Sequence, residues 1–438
     1  MYHDLTKGSI SRSLLLFALP MMAGNILQQF YNIADTLIVG RVLGKNALAA
    51  VGSSYTLMTF LTSIFLGLSM GSGALFSIYR GKGDERALRS SIAHACDLIL
   101  AVTLVLNVVV YIFIDPILNF LRVPEEVWGG MREYLLIIFA GLLATSLYNF
   151  FSCLLRALGN STVPLVFLAV SAILNIAWDL LFVAVFHWGI AGAAYATIFA
   201  QYVSGIGILL YVLFRCRSLF PERKDLCFDG GILKEIAGLS SLTCLQQSVM
   251  NFGILMVQGL VNSFGATTMA AFAAAVKIDT FAYLPVQDFG NAYSTFIAQN
   301  YGAGNKERIR RGTKESFAIS TAFSLVISAL VFAFAAPLMQ IFVSSAETAV
   351  IASGVRYLRI EGAFYFGIGC LFLLYGYYRA IKRAEMSVVL TVISLGIRVL
   401  LAYVLSATFL GETGIWMAIP IGWILADLTG LLYMRKTW

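Results

Sequence analysis

The chain has 438 residues, of which 59% are hydrophobic and only 12% are charged, and its mean hydropathy is +0.84. A soluble domain carries roughly 25% charged residues, so this composition excludes a soluble globular protein and indicates a multi-pass membrane protein. The formal net charge of +7 follows from basic loops on one side of the membrane and does not indicate nucleic-acid binding.

Twelve segments are long and apolar enough to span a membrane, which takes about 20 mainly apolar residues each. They are centred near residues 25, 65, 104, 143, 175 and 202, and then near residues 248, 283, 327, 366, 397 and 423. The predicted fold is therefore an all-α integral membrane protein with twelve transmembrane helices in two six-helix lobes. We interpret residues 1–214 as the N-lobe, the polar segment 215–235 as a cytoplasmic linker, and residues 236–438 as the C-lobe.

The distribution of Lys and Arg predicts the orientation. With the N-terminus inside, 22 of the 30 basic residues fall in inner loops or termini and 6 fall in outer loops. Because cytoplasmic loops carry an excess of positive charge, we expect both termini to be cytoplasmic.

The two halves repeat one another. The loop "YRGKGDERALR" at 79–89 matches "YGAGNKERIRR" at 301–311, so that Gly81 and Gly302 differ by 221 positions. Further on the offset is 223, where "RALGNSTVP" from Arg156 matches "RAIKRAEMS" from Arg379. An even number of helices in each repeat predicts a pseudo-two-fold axis along the membrane normal, as in transporters. We expect the loop glycines to adopt backbone angles that other residues avoid.

Polar residues recur at helical spacing within three predicted spans, which places them on one face of each helix. Polar groups at membrane depth normally face protein or a wet cavity, so these faces are candidates for a central substrate cavity. The candidates are Asn25, Gln28, Gln29 and Asn32 on the first helix, Ser171 on the fifth, and Gln247 and Asn251 on the seventh, near Ser240 and Thr243. For Asn25, Gln28 and Gln29, hydrogen bonding between helices is the alternative role.

Asp35 and Asp179 are the most informative residues. An aspartate at mid-membrane costs about 3 kcal/mol, and the predicted spans of the first half contain no Lys or Arg to compensate it. Such a site lowers its cost by taking a proton, a sodium ion or a cationic substrate, and competition among these ligands is the minimal chemistry of an antiporter. The alternative places Asp35 in water at an outer helix end and pairs Asp179 with Asn175.

The charged residues within the predicted spans of the second half favour a structural role, because residues of opposite charge could pair with each other. They are Lys277, Asp279, Asp288, Glu361, Arg398 and Asp427. Pro20 is a candidate hinge in the first helix, since an interior proline removes a backbone hydrogen bond. The alternative is a tolerated proline in the first turn.

Catalytic and metal-binding patterns are missing from the sequence. The six cysteines are scattered without a C-x-x-C pair, and no nucleophile–His pair or H-E-x-x-H motif occurs. We therefore expect neither an enzyme nor a resident cofactor.

Several segments together resemble the multidrug and toxic compound extrusion (MATE) family over essentially the whole chain. They include "LPMMAGNILQQFYNIADTLIVGRVLG", "YRGKGDERALR", "RALGNSTVP", "LNIAWDLLFV", "GIAGAAYAT" and "AQNYGAGNKERIRRG". The resemblance implies twelve helices in two lobes forming a V, and exchange of external protons or sodium for organic cations and drugs.

The resemblance also implies a cation site in the N-lobe, made of Asp35, Asn175, Asp179 and Thr197, which would be metal ligands only if the coupling ion is sodium. One branch of the family has acidic residues on helices seven and ten. Here those positions are Ser248 and Ile368, which argues against a C-lobe cation site of that type.

The functional prediction is a cation-coupled antiporter in the cell membrane that exports amphipathic or cationic compounds. We expect it to work as a monomer, and either H⁺ or Na⁺ could be the coupling ion. One alternative is a flippase for lipid-linked saccharides, which usually has a strongly cationic cavity that the first half does not offer. The other is a major-facilitator-type carrier, whose charged loop has a different glycine and acid spacing.

Overall fold

A computed structural model of the chain describes residues 4–120, 123, 125–219 and 229–437. Within these residues the chain is helical, without a strand. The helices are α1 Ile10–Leu43, α2 Lys45–Lys82, α3 Glu85–Ile112, α4 Ile114–Phe120, α5 Glu125–Phe139, α6 Leu142–Ala157, α7 Thr162–Asp179, α8 Gly189–Arg215, α9 Gly230–Asn262, α10 Ala266–Gly302, α11 Lys306–Phe342, α12 Thr348–Gly362, α13 Tyr365–Ala380, α14 Ala384–Thr391, α15 Ile397–Ser406 and α16 Glu412–Thr437. A π-helical turn, Leu180–Val185, extends α7, and a second, Val392–Gly396, joins α14 to α15.

The number of candidate spans agrees with the sequence. Among the described residues, ten helical segments are each long and apolar enough to cross a membrane. Two further spans arise if the bent pairs α5–α6, with a bend of 48°, and α12–α13, with a bend of 52°, each count as one. The predicted all-α membrane fold with twelve spans is confirmed.

The internal repeat is visible in the backbone. Gly83 and Gly304, 221 positions apart, both adopt left-handed angles, with φ of 74° and 72°. Gly159 and Lys382, 223 positions apart, do the same with φ of 88° and 60°. Matching left-handed residues at both offsets support the repeat and the two-residue insertion in its second copy.

The described chain divides into two compact units, one of Met1–Asp4 with Leu19–Cys244 and one of Leu5–Ala18 with Leu245–Trp438. The sequence division into residues 1–214 and 236–438 did not anticipate that Leu5–Ala18 belongs with the second half. The physical reason is Arg308, whose guanidinium donates to three backbone carbonyls of this segment. They belong to Leu5 at 3.2 Å, Lys7 at 2.8 Å and Gly8 at 2.8 Å.

The predicted linker, 215–235, overlaps two helices. Helix α8 ends at Arg215 and α9 already begins at Gly230, so the connection between them is shorter than predicted. Residues 220–228 of the linker lie outside the described residues.

Helices α2 and α9 cross at a very short distance within the first unit. Gly67 and Gly71 are four residues apart on α2 and face Cys244 and Ser240 on α9, where a Cβ at either glycine would lie 2.5 Å from a Cα atom. Small residues at this spacing let membrane helices approach closely. Ser240 and Thr243 are only 0% and 1% exposed, so the expectation that they face a cavity is wrong, because this crossing buries them.

Candidate functional site

Two carboxyl groups meet inside the first unit. Asp179 ends α7, is fully buried, and is followed directly by the π-helical turn Leu180–Val185. Asp35, on α1, brings its carboxyl group within hydrogen-bonding reach of Asp179. Two ionised carboxylates are both acceptors only, so a proton or another cation between them would relieve their repulsion.

Asn175 and Thr197 lie beside the pair. Asn175 precedes Asp179 by about one helical turn, and its Nδ2 donates to Thr197 Oγ1 at 3.4 Å. Thr197 in turn donates to the carbonyl of Ala193 at 3.0 Å. The alternative in which Asn175 hydrogen-bonds Asp179 is therefore wrong, because neither oxygen of Asp179 receives a hydrogen bond from a described residue.

Four side-chain oxygen atoms of this site accept no hydrogen bond from any described residue. They are Oδ1 of Asp35, Oδ1 and Oδ2 of Asp179, and Oδ1 of Asn175. Buried polar atoms without partners are rare in proteins and call for a ligand or water. A set of hard oxygen atoms with excess negative charge fits a proton or a hard cation such as Na⁺, by the same preference that hard divalent cations have for oxygen ligands.

Two tyrosines complete the site and were missed by sequence reasoning. The hydroxyl of Tyr134, on α5, contacts Thr197, and the ring lies close enough to interact electrostatically with both carboxyl groups. Tyr31 interacts with the same two groups and contacts Gln28. The spacing of four between Tyr31 and Asp35 on α1 was an available signal, whereas nothing in the sequence connects Tyr134 to the pair.

An apolar cluster lies on the same elements as the carboxyl pair. Val39, Tyr134, Val183, Ala193, Ala194 and Ile198 pack together from α1, α5, the π-helical turn and α8. The arginine on α5, Arg132, is occupied with Asp115 at 2.7 Å. Asp179 is therefore held among apolar side chains, where electrostatic interactions with a bound cation are stronger than in water, whereas Asp35 is only partly buried.

The other predicted residues are distributed over both units. Asn25, Gln28, Gln29 and Asn32 are half-buried on α1. Ser171 donates to the carbonyl of Ala200 at 2.8 Å, so it joins α7 to α8. Gln247 and Asn251 belong to the second unit, where Asn251 donates to the carbonyl of Gln247 at 3.2 Å. A cavity shared by these residues stays a prediction.

Pro20 lies inside α1, ten residues after its first residue, Ile10. The first-turn alternative for Pro20 is therefore wrong, and the missing N–H leaves the helix one backbone hydrogen bond short. Its role as a hinge stays a prediction.

The charges of the second half only partly pair. Lys277 is exposed and lies over the ring of Phe342, 5.7 Å from its centroid. Asp427 contacts the thiol of Cys370. Among the described residues no group of three or more His, Cys, Asp or Glu side chains could hold a metal ion.

Comparison with known proteins places these features in a family. The family model MatE matches residues 20–181 and 242–404. The chain is 32% identical over 436 residues to the "Probable multidrug resistance protein YpnP" of Bacillus subtilis, covering 99% of this chain and 96% of that one. It is 27% identical over 434 residues to the "Probable multidrug resistance protein NorM" of Thermotoga maritima, covering 97% and 92%.

A solved structure of a multidrug resistance MATE family transporter in an outward-facing conformation has the same fold. Its TM-score is 0.93 at 24% identity, with 99% of this chain and 97% of that chain covered.

Proposed function

The chain belongs to the MatE family of multi-pass membrane transporters, and we propose that it is a cation-coupled antiporter that exports amphipathic organic cations. The observation that carries this proposal is the contact between the partly buried carboxyl group of Asp35 and the fully buried one of Asp179. No basic side chain among the described residues acts on either group. The comparisons favour neither a lipid-linked saccharide flippase nor a major-facilitator-type carrier.

The proposed mechanism is competition for the carboxyl pair. On the outer side a proton or Na⁺ binds between Asp35 and Asp179, with Asn175 Oδ1 as a further oxygen ligand. Occupancy removes the repulsion between the carboxylates and favours one arrangement of α1 and α7. On the inner side the ion leaves, and the uncompensated negative charge attracts a cationic substrate. A ligand can shift a conformational equilibrium only by its differential affinity for the two states, and the carboxyl pair supplies that difference.

The proposed substrates are amphipathic compounds with a positive charge. The α1 face with Asn25, Gln28, Gln29 and Asn32 offers hydrogen-bonding groups, and the chain has 32 Phe and 20 Tyr for stacking and cation–π contacts. The names of both relatives refer to multidrug resistance, which agrees with a broad substrate range.

We further propose that the protein lies in the cell membrane with both termini in the cytoplasm, from the excess of Lys and Arg in the predicted inner loops. It would function as a monomer, because each proposed ligand of the coupling ion comes from one chain. The coupling ion is cargo, and no resident cofactor enters the proposed cycle.

Ethidium efflux from proteoliposomes tests this function. We expect the parent protein to move ethidium under a pH gradient without sodium, or under a sodium gradient without a pH difference. Asp35→Asn and Asp179→Asn should each lose this ion-driven transport while keeping the parent's size-exclusion profile.

Asp115→Asn is the matched control. It removes an aspartate of the same unit that is half-exposed and paired with Arg132, and it should transport at the parent rate. Ion-driven efflux at the parent rate in both carboxyl-pair variants would refute the coupling assignment.

A further inference from the structure

The second unit contains its own buried carboxyl pair. Asp279, on α10, and Glu361, near the end of α12, are 5% and 2% exposed. Their carboxyl groups approach within hydrogen-bonding reach of each other. As with the first pair, two ionised carboxylates have no donor to offer each other, so a shared proton would supply the missing hydrogen bond. The pair is distinct from positions Ser248 and Ile368, where another branch of the family has acids.

The groups around this pair do not satisfy the hydrogen-bonding capacity of its carboxyl oxygens. Tyr357 donates to Oδ2 of Asp279 at a long 3.5 Å. The hydroxyl of Tyr365 approaches the same carboxyl group without a well-formed hydrogen bond, and Tyr283 lies within electrostatic range. Oδ1 of Asp279 and Oε2 of Glu361 are left without a donor among the described residues.

Arg398 sets the charge balance of the site. It follows the π-helical turn Val392–Gly396, is 9% exposed, and acts electrostatically on both Asp279 and Glu361. Its Nε is buried and finds no acceptor among the described residues. One guanidinium against two carboxylates leaves a net charge of −1, and one bound proton makes the group neutral. An uncompensated buried charge is strongly destabilising, so the proton stabilises this arrangement.

Arg398 is the basic residue that acts on both carboxyl groups of the pair, and the buried Asp288 on α10 is a further acid, 2% exposed. Asp427, on α16, has Cys370 as its neighbour, and Lys277 lies exposed over Phe342. At this depth α11 contributes serines rather than charged residues.

Those serines form a ladder along α11. Ser316, Ser320, Ser324 and Ser328 recur every fourth residue and are all buried. None of the four hydroxyls has a hydrogen-bond partner among the described residues. At 1.5 Å per residue the ladder is about 18 Å long. An ordered water can supply the missing partner of a buried hydroxyl, so we take the ladder as the route by which water would reach the pair.

The ladder runs beside the helix that carries Tyr365. A Cβ at Gly369, on α13, would lie 2.8 Å from Ser320 Oγ and 3.0 Å from Ser324 Oγ. Gly369 lies one turn after Tyr365, and Tyr365 approaches Asp279. At the other end, the ladder leads toward the basic first turns of α11, from Lys306 onward.

We propose that Asp279 and Glu361 form a second protonation site, which holds one proton beside Arg398 and exchanges it with water along the serine ladder of α11. A hydronium ion in the water at the basic end of α11 gives up the proton, so one of its O–H bonds breaks and one O–H bond forms on a carboxylate oxygen of the pair. The return of the proton to water by the same path reverses both changes. The site is independent of the Asp35–Asp179 pair and does not rest on ion-driven export.

Infrared difference spectroscopy of the reconstituted full chain tests the site. The Asp35→Asn/Asp179→Asn double variant serves as background, because it removes the first pair. We expect this background to keep the carbonyl band of a protonated buried carboxyl group, which shifts in D₂O. Glu361→Gln and Asp279→Asn should each remove one band, whereas Asp427→Asn, which removes another buried acid of this unit, should keep it.

The proton path along α11 is tested by the rate at which the carbonyl band shifts after transfer of the protein into D₂O. Ser320→Ala/Ser324→Ala should keep the band and slow its exchange into D₂O severalfold, because two water-holding hydroxyls are gone. Exchange at the parent rate would overturn the path. The site itself would be overturned if the band survives in Asp279→Asn or in Glu361→Gln, or if Asp427→Asn removes it. Two independent variants, each checked by size exclusion, separate loss of the proton from loss of the fold.

Failure of this proposal and failure of ion-driven export are distinguishable. The infrared measurement uses neither a gradient nor a substrate, and it is made in a background that already lacks the first carboxyl pair. Ethidium efflux reports only on the coupling role of Asp35 and Asp179.

Discussion

The crossing of α2 and α9 makes a quantitative prediction for Gly71→Ala. A Cβ at this position would lie 2.5 Å from the Cα of Ser240 and 2.7 Å from the carbonyl oxygen of Leu239. Both obstacles are backbone atoms, so a side-chain rotation cannot relieve the clash. The two helices would have to move apart along their whole contact.

The size of the effect follows from these distances. Carbon atoms in contact prefer about 3.5–4.0 Å, so the helices must separate by at least about 1 Å. Overpacking of this kind costs about 1–3 kcal/mol. Ser72 lies in the same contact, where its hydroxyl is 2.9 Å from that of Ser240, so the separation also lengthens this hydrogen bond.

Thermal unfolding of the purified protein in one detergent measures the effect, with Gly52→Ala as control. Gly52 lies in the same helix and has no heavy atom within 4 Å of an added Cβ. Because alanine favours a helix over glycine by about 1 kcal/mol, the control should be as stable as the parent or more so. Gly71→Ala should unfold several degrees lower. Equal midpoints for Gly71→Ala and Gly52→Ala would refute the close backbone contact.

Three further variants test other parts of the structure. Lys382→Gly should stabilise the protein by about 1 kcal/mol, measured as a higher unfolding midpoint, because a left-handed residue other than glycine is strained; a lower midpoint would contradict this. Arg308→Ala should speed proteolysis of the N-terminal segment, since three backbone carbonyls lose their donor, while the neighbouring Arg311→Ala should leave the rate unchanged. Tyr134→Phe should raise the ion concentration needed for half-maximal efflux, because Thr197 loses its hydroxyl contact; an unchanged ion dependence would place Tyr134 outside the site.

The sequence predicted the fold well, because its signals are local. Span length, the basic loops and the repeated glycine loops are properties of short segments, and left-handed Gly83 and Gly304 reproduce the repeat offset in the backbone. The prominence of Asp35 and Asp179 followed in the same way, since an unpaired acid in an apolar segment is conspicuous without any knowledge of its neighbours.

Features that depend on distant contacts could not be predicted. Leu5–Ala18 joins the second half because Arg308 binds its carbonyls from about 300 positions away. Ser240 is a polar residue on one face of α9, and the sequence does not show whether that face contacts water or another helix. The structure shows that it packs against the glycines of α2. Tyr134 is recognisable as a site residue only once α5 and α8 are placed side by side.

Ion displacement by substrate tests most directly whether Asp35 and Asp179 are the shared binding place. Tetraphenylphosphonium is added to the purified protein in weak buffer, and released protons and released sodium are recorded in parallel. If substrate and coupling ion compete for this carboxyl pair, tetraphenylphosphonium should release either protons or sodium from the parent protein. It should release neither ion from the Asp35→Asn/Asp179→Asn double variant. Binding to the parent without any ion release, or equal release from the double variant, would contradict this competition.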